Sequence, residues 1–220
     1  MSPNNRYMMI PKNKIPLTIL SCYAQESRIK DAMQTWIPLL DKKYHVIVLL
    51  GNPNLKRAYS LETKDTISTL VLRVDDSFDG VSIKMKSVFN FLSTNTNSPY
   101  YWFCDNDSYI NTKLFNTFND YSVDWYGFGP IYHKDNGKTY NLMSGCGHYM
   151  SKPFIDLSAK QLENWNHAYD AALGKVFEER VQFKRKYSST IHPWSGDKNI
   201  DGLMIGHYVK NMNLMHSFYK

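Results

Sequence analysis

Two aspartates two residues apart, Asp105 and Asp107, follow directly on the apolar segment Tyr-Tyr-Trp-Phe-Cys at positions 100–104. That segment predicts a short buried β-strand, and a strand so apolar rarely ends in two carboxylates for packing reasons alone. Carboxylate oxygens are the ligands that hard divalent cations prefer. A cation held there can bridge two phosphate groups and neutralise the charge that builds on a departing diphosphate. The pair therefore predicts a site for Mn²⁺ or Mg²⁺, although two aspartates at this spacing also occur in ordinary turns.

The elements around this pair predict an α/β fold with a mostly parallel central sheet flanked by helices, because strands and helices alternate along the first half of the chain. In such sheets ligands bind beyond the carboxyl ends of the strands, where the two aspartates fall. We predict strands at 17–22, 44–50, 67–74 and 100–104 and helices at 27–40, 55–64 and 82–93.

The second half of the chain is less regular. Short strands are predicted at 125–131 and 140–143, around a turn at Asp135-Asn136-Gly137. A largely helical region follows at 152–183, and a last helix is predicted at 201–212.

The composition fits one folded domain with a sizeable core, since 43% of the 220 residues are hydrophobic and 21% are charged. The net charge of +6 favours anionic partners, including small phosphate-bearing substrates. Three cysteines form no disulfide framework and suit a reducing compartment. Because the first 14 residues contain no long apolar run, we expect a soluble protein. It would be a cytoplasmic protein of viral or microbial origin, or a catalytic domain cut from a longer polypeptide.

The stretch Trp-Phe-Cys-Asp-Asn-Asp-Ser-Tyr-Ile-Asn at 102–111 resembles the signature of fringe-type and β-1,3-glycosyltransferases, which have the GT-A fold. Further segments resemble landmarks of that family in the same order and extend the resemblance over nearly the whole chain. These segments are Arg28 with Thr35-Trp36, then 75–84, 144–151, 201–206 and 215–218.

The resemblance implies a division of the chain and a set of roles. Residues 1–16 would be an N-terminal extension, and 17–220 a glycosyltransferase domain with a nucleotide-binding half at 17–109 and an acceptor half at 110–220. The enzyme would move a sugar from a nucleoside-diphosphate sugar, expected to be a UDP-sugar, to a hydroxyl of a glycan or glycoprotein acceptor. No membrane span and no nucleic-acid partner are expected in this chain.

The metal ligands implied by the resemblance are Asp107, Asp105 and His216. The donor would be contacted by the cations Arg28 and Lys84, with Lys86 as a competitor for the second place. Ser21 and Cys22, at the end of the first predicted strand, would line the nucleoside pocket together with Asn106, and Gly145 and Gly147 would allow close backbone approach to the donor sugar.

Members of the family invert the anomeric centre, using a carboxylate that deprotonates the acceptor hydroxyl. The candidate base is Asp201, with Asp197 as the alternative. Here the chain departs from the family pattern, since Gly202 occupies the usual position of the base, four residues before Gly206. Trp165, His192 and Trp194 are candidate acceptor contacts.

Two other classes of function remain open from the sequence. A metal-dependent phosphoesterase would need a larger set of carboxylates or histidines to hold two metals. A non-catalytic carbohydrate- or nucleic-acid-binding module is compatible with the basic balance and the 15% aromatic content, but it leaves the pair of aspartates unexplained.

Overall fold

The computed structural model describes residues 10–11, 13–77, 79–135, 138–142, 146–161, 169–178, 182–193 and 202–207. The helices are α1 (Glu26–Gln34), α2 (Val81–Asn95), α3 (Thr112–Thr117), α4 (Lys152–Gln161) and α5 (Tyr169–Glu178), with 3₁₀ turns at Tyr23–Gln25 and Ile37–Leu39. The strands are β1 (Ile15–Leu20), β2 (Tyr44–Gly51), β3 (Tyr59–Lys64), β4 (Ile67–Leu72), β5 (Tyr100–Asp105), β6 (Tyr109–Ile110), β7 (Trp125–Gly127), β8 (Ile131–Asp135), β9 (Lys138–Leu142), β10 (His148–Ser151), β11 (Arg185–Tyr187), β12 (Ile191–His192) and β13 (Ile205–Gly206).

The central feature is an eight-stranded sheet in the order β11-β7-β10-β5-β1-β2-β4-β3. β5, β1, β2 and β4 run parallel, as the sequence predicts, whereas β10 and β3 are antiparallel to their neighbours. The α/β class with a large central sheet and flanking helices is therefore confirmed. The sheet is more mixed towards its two edges than the alternation in the first half indicates.

Buried side chains on both faces of the sheet explain why β1, β2 and β5 read as continuous apolar runs. Trp102 points into one core layer together with Trp36, and the neighbouring Tyr101 and Phe103 point into the other, against α2 and α4. Trp102 lies within ring-contact distance of Phe115, Phe118, Tyr126 and Tyr149. Much of the aromatic content of the chain is thus core packing.

The prediction of a helix at 55–64 is wrong, because Tyr59–Lys64 forms β3 and pairs antiparallel with β4. A two-residue turn joins the strands, and Asp65 in it has a positive φ of 55°. Such turns match the twist of a hairpin, so pairing with β4 outweighs the local helical preference. The helix predicted at 27–40 ends at Gln34, and a 3₁₀ turn containing Pro38 follows, since proline lacks the N–H that would continue an α-helix.

A small second sheet, in the order β12-β13-β6, lies beyond the carboxyl end of β5. Ile205 pairs with Ile110 and Gly206 with Tyr109 in antiparallel register. The last helix predicted at 201–212 is therefore wrong at Ile205–Gly206, where the backbone is extended and hydrogen-bonded to β6. No helix in the described ranges has the combination of length and apolar character that crossing a membrane requires.

Candidate metal and donor site

Asp105 is the last residue of β5, and Asp107 lies in the tight turn that follows. The amide of Asn106 donates to the carbonyl oxygen of Leu20 at 3.0 Å, and the amide of Ser108 donates to that of Asp105 at 3.1 Å. These bonds fix the turn to the end of β1. They hold both carboxylates at the carboxyl edge of the sheet, where the sequence places a ligand site.

His207 completes a group of three potential metal ligands. Gly206 pairs with Tyr109, so the next residue along β13 falls opposite the turn that carries Asp107. Nε2 of His207 lies 3.1 Å from Oδ2 of Asp105 and 3.0 Å from Oδ1 of Asp107. These are the three residues among the described ones that offer a metal-binding cluster, with ligand atoms all within 4.8 Å of one another.

The donor set fits a divalent cation. Nδ1 of His207 lies 2.9 Å from the carbonyl oxygen of Pro193. A carbonyl can only accept, so Nδ1 carries a proton and Nε2 is the atom that can bind a metal, an arrangement typical of metal-bound histidine. In octahedral coordination at about 2.1 Å, neighbouring ligand atoms are roughly 3.0 Å apart. The two distances from Nε2 match that separation.

The charges of the three groups are strongly coupled. Burial alone lowers the pKa of His207, but its hydrogen bonds to Asp105 and Asp107 and their negative charges outweigh burial and raise it to about 10. Burial raises the pKa of Asp105, against the opposing effect of His207. Burial also acts to raise the pKa of Asp107, but His207 and Arg28 outweigh it and lower that pKa. A proton on His207 thus occupies the place that a metal cation would take.

Arg28, on α1, also lies beside the carboxylates. Its Nη1 lies 3.2 Å from Oδ1 of Asn106 and 3.6 Å from Oδ2 of Asp107. The amide nitrogen of Asn106, which is 6% exposed, donates to Oγ of Ser21 at 3.0 Å and to Oε1 of Gln25 at 2.8 Å. Asn106 thereby joins the metal-binding turn to the end of β1 and the start of α1, and places Arg28 beside the carboxylates.

The resemblance implies that Lys84 contacts the donor, but the structure places its ammonium in a buried ion pair. Lys84 is 1% exposed, and its ammonium donates to Oδ1 of Asp76 at 2.6 Å and to the carbonyl oxygen of Ser21 at 2.9 Å. Asp76 also accepts the amides of Gly51 at 2.6 Å and Tyr23 at 2.7 Å. The pair ties together the carboxyl ends of β1, β2 and β4, and this geometry favours a positioning role for Lys84 over direct contact with a diphosphate.

Gly147 and Cys22 flank this region. A Cβ on Gly147, whose φ is +153°, would lie 2.9 Å from two side-chain carbons of Ile205. Glycine at this position therefore lets β13 approach β10, and β13 carries His207 to the carboxylates. Cys22 is half-buried with a free thiol, directly after Ser21.

The remaining predicted residues, Asp201, Asp197, Gly145 and His216, lie outside the described residues, as do Trp165 and Trp194. His207 is not among the predicted ligands, because 201–212 is predicted as a helix and the resemblance points to a later histidine, His216. No local pattern marks this histidine, because Met-Ile-Gly-His at 204–207 is too short to show a strand period and its position depends on pairing with β6.

Comparison with known proteins places the fold. No family model matches the sequence, and no curated protein sequence does so. Among solved structures, glycosyltransferase GlyE of Streptococcus pneumoniae TIGR4 in its apo form superposes with a TM-score of 0.50 at 11% identity over 94% of this chain. A glycosyltransferase involved in glycosylation of the major capsid of PBCV-1 gives 0.51 at 10% identity, over 94% of this chain and 100% of its own.

The bifunctional glycosyltransferase WbbM, in its apo structure, gives a TM-score of 0.54 at 10% identity over 92% of this chain. The present chain spans 60% of GlyE and 47% of WbbM. At these identities the likeness establishes the fold, which is of the glycosyltransferase GT-A type. The fringe-type and β-1,3 subdivision stays a prediction from sequence.

Proposed function

We propose that this protein is a metal-dependent glycosyltransferase that uses a nucleoside-diphosphate sugar, a UDP-sugar in the first instance, to glycosylate a hydroxyl of a glycan or glycoprotein. The observation that carries the proposal is the convergence of Asp105, Asp107 and His207 at the carboxyl edge of the sheet. Arg28 lies beside them. Two carboxylates and an imidazole at this edge of a GT-A fold are explained by binding of a metal and a diphosphate. A non-catalytic binding module would leave these three residues without a role.

Asp105, Asp107 and His207 would hold a divalent cation, Mn²⁺ or Mg²⁺, which when bound supplies Lewis-acid stabilisation of the diphosphate leaving group. Arg28 would contribute a second positive charge. Asn106 holds its guanidinium beside the carboxylates, and the remaining N–H groups can donate to phosphate oxygens. Ser21 and Asn106 bond to each other. They support the nucleoside side of the pocket by fixing the strand ends, with Cys22 next in the chain.

The acceptor hydroxyl would lose its proton to Asp201, with Asp197 as the alternative base, and its oxygen would then attack the anomeric carbon with inversion. Asp201 directly precedes Gly202 and lies six positions before His207, so the base and the metal ligand would come from one short segment. Gly145 would allow backbone approach to the donor sugar. His216 remains a further candidate ligand from the end of the chain.

Calorimetric titration of UDP into the protein, with and without Mn²⁺, tests the donor site directly. We expect binding that requires Mn²⁺ and that is abolished in Asp107→Ala. Glu62→Ala removes an exposed carboxylate from β3 and serves as the matched control, with wild-type binding expected. A screen of UDP-sugars for UDP release, with and without candidate acceptors, then tests transfer.

Failure of UDP and of every other nucleoside diphosphate to bind in the presence of Mn²⁺ would remove the basis of the proposal. Metal-independent binding that persists in Asp107→Ala would do the same, because the carboxylates would then have no part in donor recognition. Release of inorganic phosphate from simple phosphate esters would point instead to a phosphoesterase.

A further inference from the structure

The carboxyl edge of the sheet continues beyond the metal ligands. β7 and β11 run in the same direction as β5, since β7 and β5 are both antiparallel to β10 and β11 is parallel to β7. Three strand spacings separate β5 from β11, or roughly 14 Å. The ends of β7 and β11 therefore form an extension of the edge on which Asp105 lies, on the acceptor side of the chain.

Direct contacts lead from the metal ligands onto this extension. The amide of His207 donates to the carbonyl oxygen of His192 at 3.0 Å. The imidazole of His192 lies against the ring of Phe128, with centroids 5.6 Å apart. Phe128 directly follows β7, and both side chains are half-buried. An aromatic surface thus begins next to the metal site.

The surface continues to the end of β11 and onto the β8–β9 hairpin. The backbone of Gly129 lies on the ring of Tyr187, since a Cβ on Gly129 would lie 2.6 Å from a carbon of that ring. Tyr132 follows on β8 and is 67% exposed, the largest exposure of any large hydrophobic side chain described. We call Phe128, Tyr132, Tyr187 and His192 the aromatic strip.

Fixed polar groups border the far end of the aromatic strip. Asn141 is the cross-strand partner of Tyr132, and its amide nitrogen lies 3.4 Å from Oε1 of Glu178. The same carboxylate oxygen accepts from Nη1 of Arg185 at 2.6 Å. The guanidinium of Arg185 in turn lies 5.7 Å from the centroid of the Tyr187 ring. Because Glu178 and Arg185 neutralise each other, this pair offers hydrogen bonds without net charge.

We propose that the aromatic strip is a binding site for the sugar units of an oligosaccharide acceptor that lie beyond the unit at the metal. Saccharides present C–H faces that pack on aromatic rings and hydroxyls that bond to amide, carboxylate and guanidinium groups. The strip offers both, and at its His192 end it is joined to His207 by a backbone hydrogen bond. The inference rests on the acceptor part of the proposed function and assigns it an extended, uncharged glycan.

Binding to an array of neutral oligosaccharides, each backbone printed as a series from one to six units, tests the strip. In at least one series we expect retention to rise at least about tenfold between one and four units. Tyr132→Ala should reduce binding of the longer members about tenfold, to the level of the short ones. Tyr132→Phe keeps the ring and should stay within about threefold of the wild type. Leu39→Ala, which alters a side chain with 53% exposure on a distant turn, should have no effect.

The proposal is overturned if no series shows a dependence on length, or if Tyr132→Ala binds every series as the wild type does. It is equally overturned if sedimentation shows that Tyr132→Ala converts a dimer to a monomer, since the strip would then contact a second copy of the chain. UDP calorimetry on the same samples separates the two proposals. Length-dependent glycan binding without UDP binding leaves the strip in place and removes the transferase, whereas the reverse result removes the strip alone.

Discussion

Two charged clusters lie at the same edge of the central sheet and differ in how fully the protein satisfies them. Around Asp76, the carboxylate accepts from Lys84 and from the amides of Gly51 and Tyr23, and the Lys84 ammonium is sealed from solvent. Around Asp107, the carboxylates of Asp105 and Asp107 share one histidine nitrogen at about 3 Å, and the guanidinium of Arg28 lies 3.6 Å from Asp107.

This difference distinguishes a charged cluster that stabilises the fold from one that binds a ligand. A buried ion pair with every partner in place fixes the chain segments that it joins, and its removal leaves an uncompensated charge. A group of two carboxylates and an imidazole on one side of a turn places negative charges together, which is unfavourable unless a proton or a metal cation holds them. The first cluster should therefore govern stability and the second should govern chemistry.

The largest effect should come from Asp107→Asn, which keeps the shape of the side chain and removes the charge. Transfer from the best UDP-sugar should fall at least about a thousandfold, because the cation that stabilises the leaving diphosphate loses a ligand. Initial rates of UDP release measure this loss. The urea midpoint should change less than in Asp76→Asn. A variant that keeps wild-type rates would show that Asp107 does not take part in the reaction.

The reverse pattern is expected for Asp76→Asn. The Lys84 ammonium would stay buried without its carboxylate, and we expect the free energy of unfolding to fall by about 3–5 kcal/mol in urea titrations. Glu26→Gln breaks the exposed pair with Lys30, in which both side chains are 65% exposed, and should cost no more than about 0.5 kcal/mol. Equal losses in the two variants would refute the distinction between a sealed pair and a solvated one.

The sequence predicts the first half of the fold well because its signals are local. Buried parallel strands such as β2 are recognisable as uninterrupted apolar runs, and their order with helices limits the topology. The prediction at β3 fails because the extended conformation of this segment depends on pairing with β4. A segment of six residues carries too little local pattern to show that pairing. Strands of two or three residues, such as β13, carry almost no periodic signal. Their extended conformation is stabilised by hydrogen bonds to the neighbouring strands.

The same contrast applies to the candidate site. Asp105, Asp107 and Arg28 are candidates from the sequence because the strand end and the resemblance point to them, and the structure brings the three side chains together. The burial of Lys84 is not, since it depends on Asp76 and on the carbonyl of Ser21, which come from other segments. His207 is reached only through the register of β13 with β6, a long-range pairing that local patterns do not encode.

The cluster of Asp105, Asp107 and His207 should also respond to pH. His207 has a pKa of about 10 in the metal-free fold, above its ordinary value of 6.5. Its protonated form therefore stabilises the metal-free protein fully below pH 6.5, and this contribution is lost as the pH rises from 6.5 to about 10. Metal binding must expel that proton, so the affinity for Mn²⁺ should rise about tenfold per pH unit, or about a hundredfold from pH 7 to pH 9.

Calorimetry of Mn²⁺ binding in buffers with different ionisation enthalpies checks this coupling. We expect the release of about one proton per metal ion near pH 8 in the wild type. His207→Ala should bind metal weakly and with little dependence on pH in this range. A constant Mn²⁺ affinity from pH 7 to pH 9 would mean that the imidazole does not compete with the proton for the metal.

The smallest of the expected effects concerns Asn106, which links the cluster around Asp107 to the end of β1. Asn106→Ala removes the acceptor that holds Nη1 of Arg28 and both donors to Ser21 and Gln25. The guanidinium then gains rotamer freedom, so UDP binding in the presence of Mn²⁺ should weaken about tenfold, while Mn²⁺ binding alone stays within about threefold. Gln25→Ala removes only one of these bonds and should lower UDP affinity less than about threefold. If Asn106→Ala weakened metal and UDP binding in parallel, Asn106 would act by shaping the turn that carries Asp107, and the placement of Arg28 would be incidental.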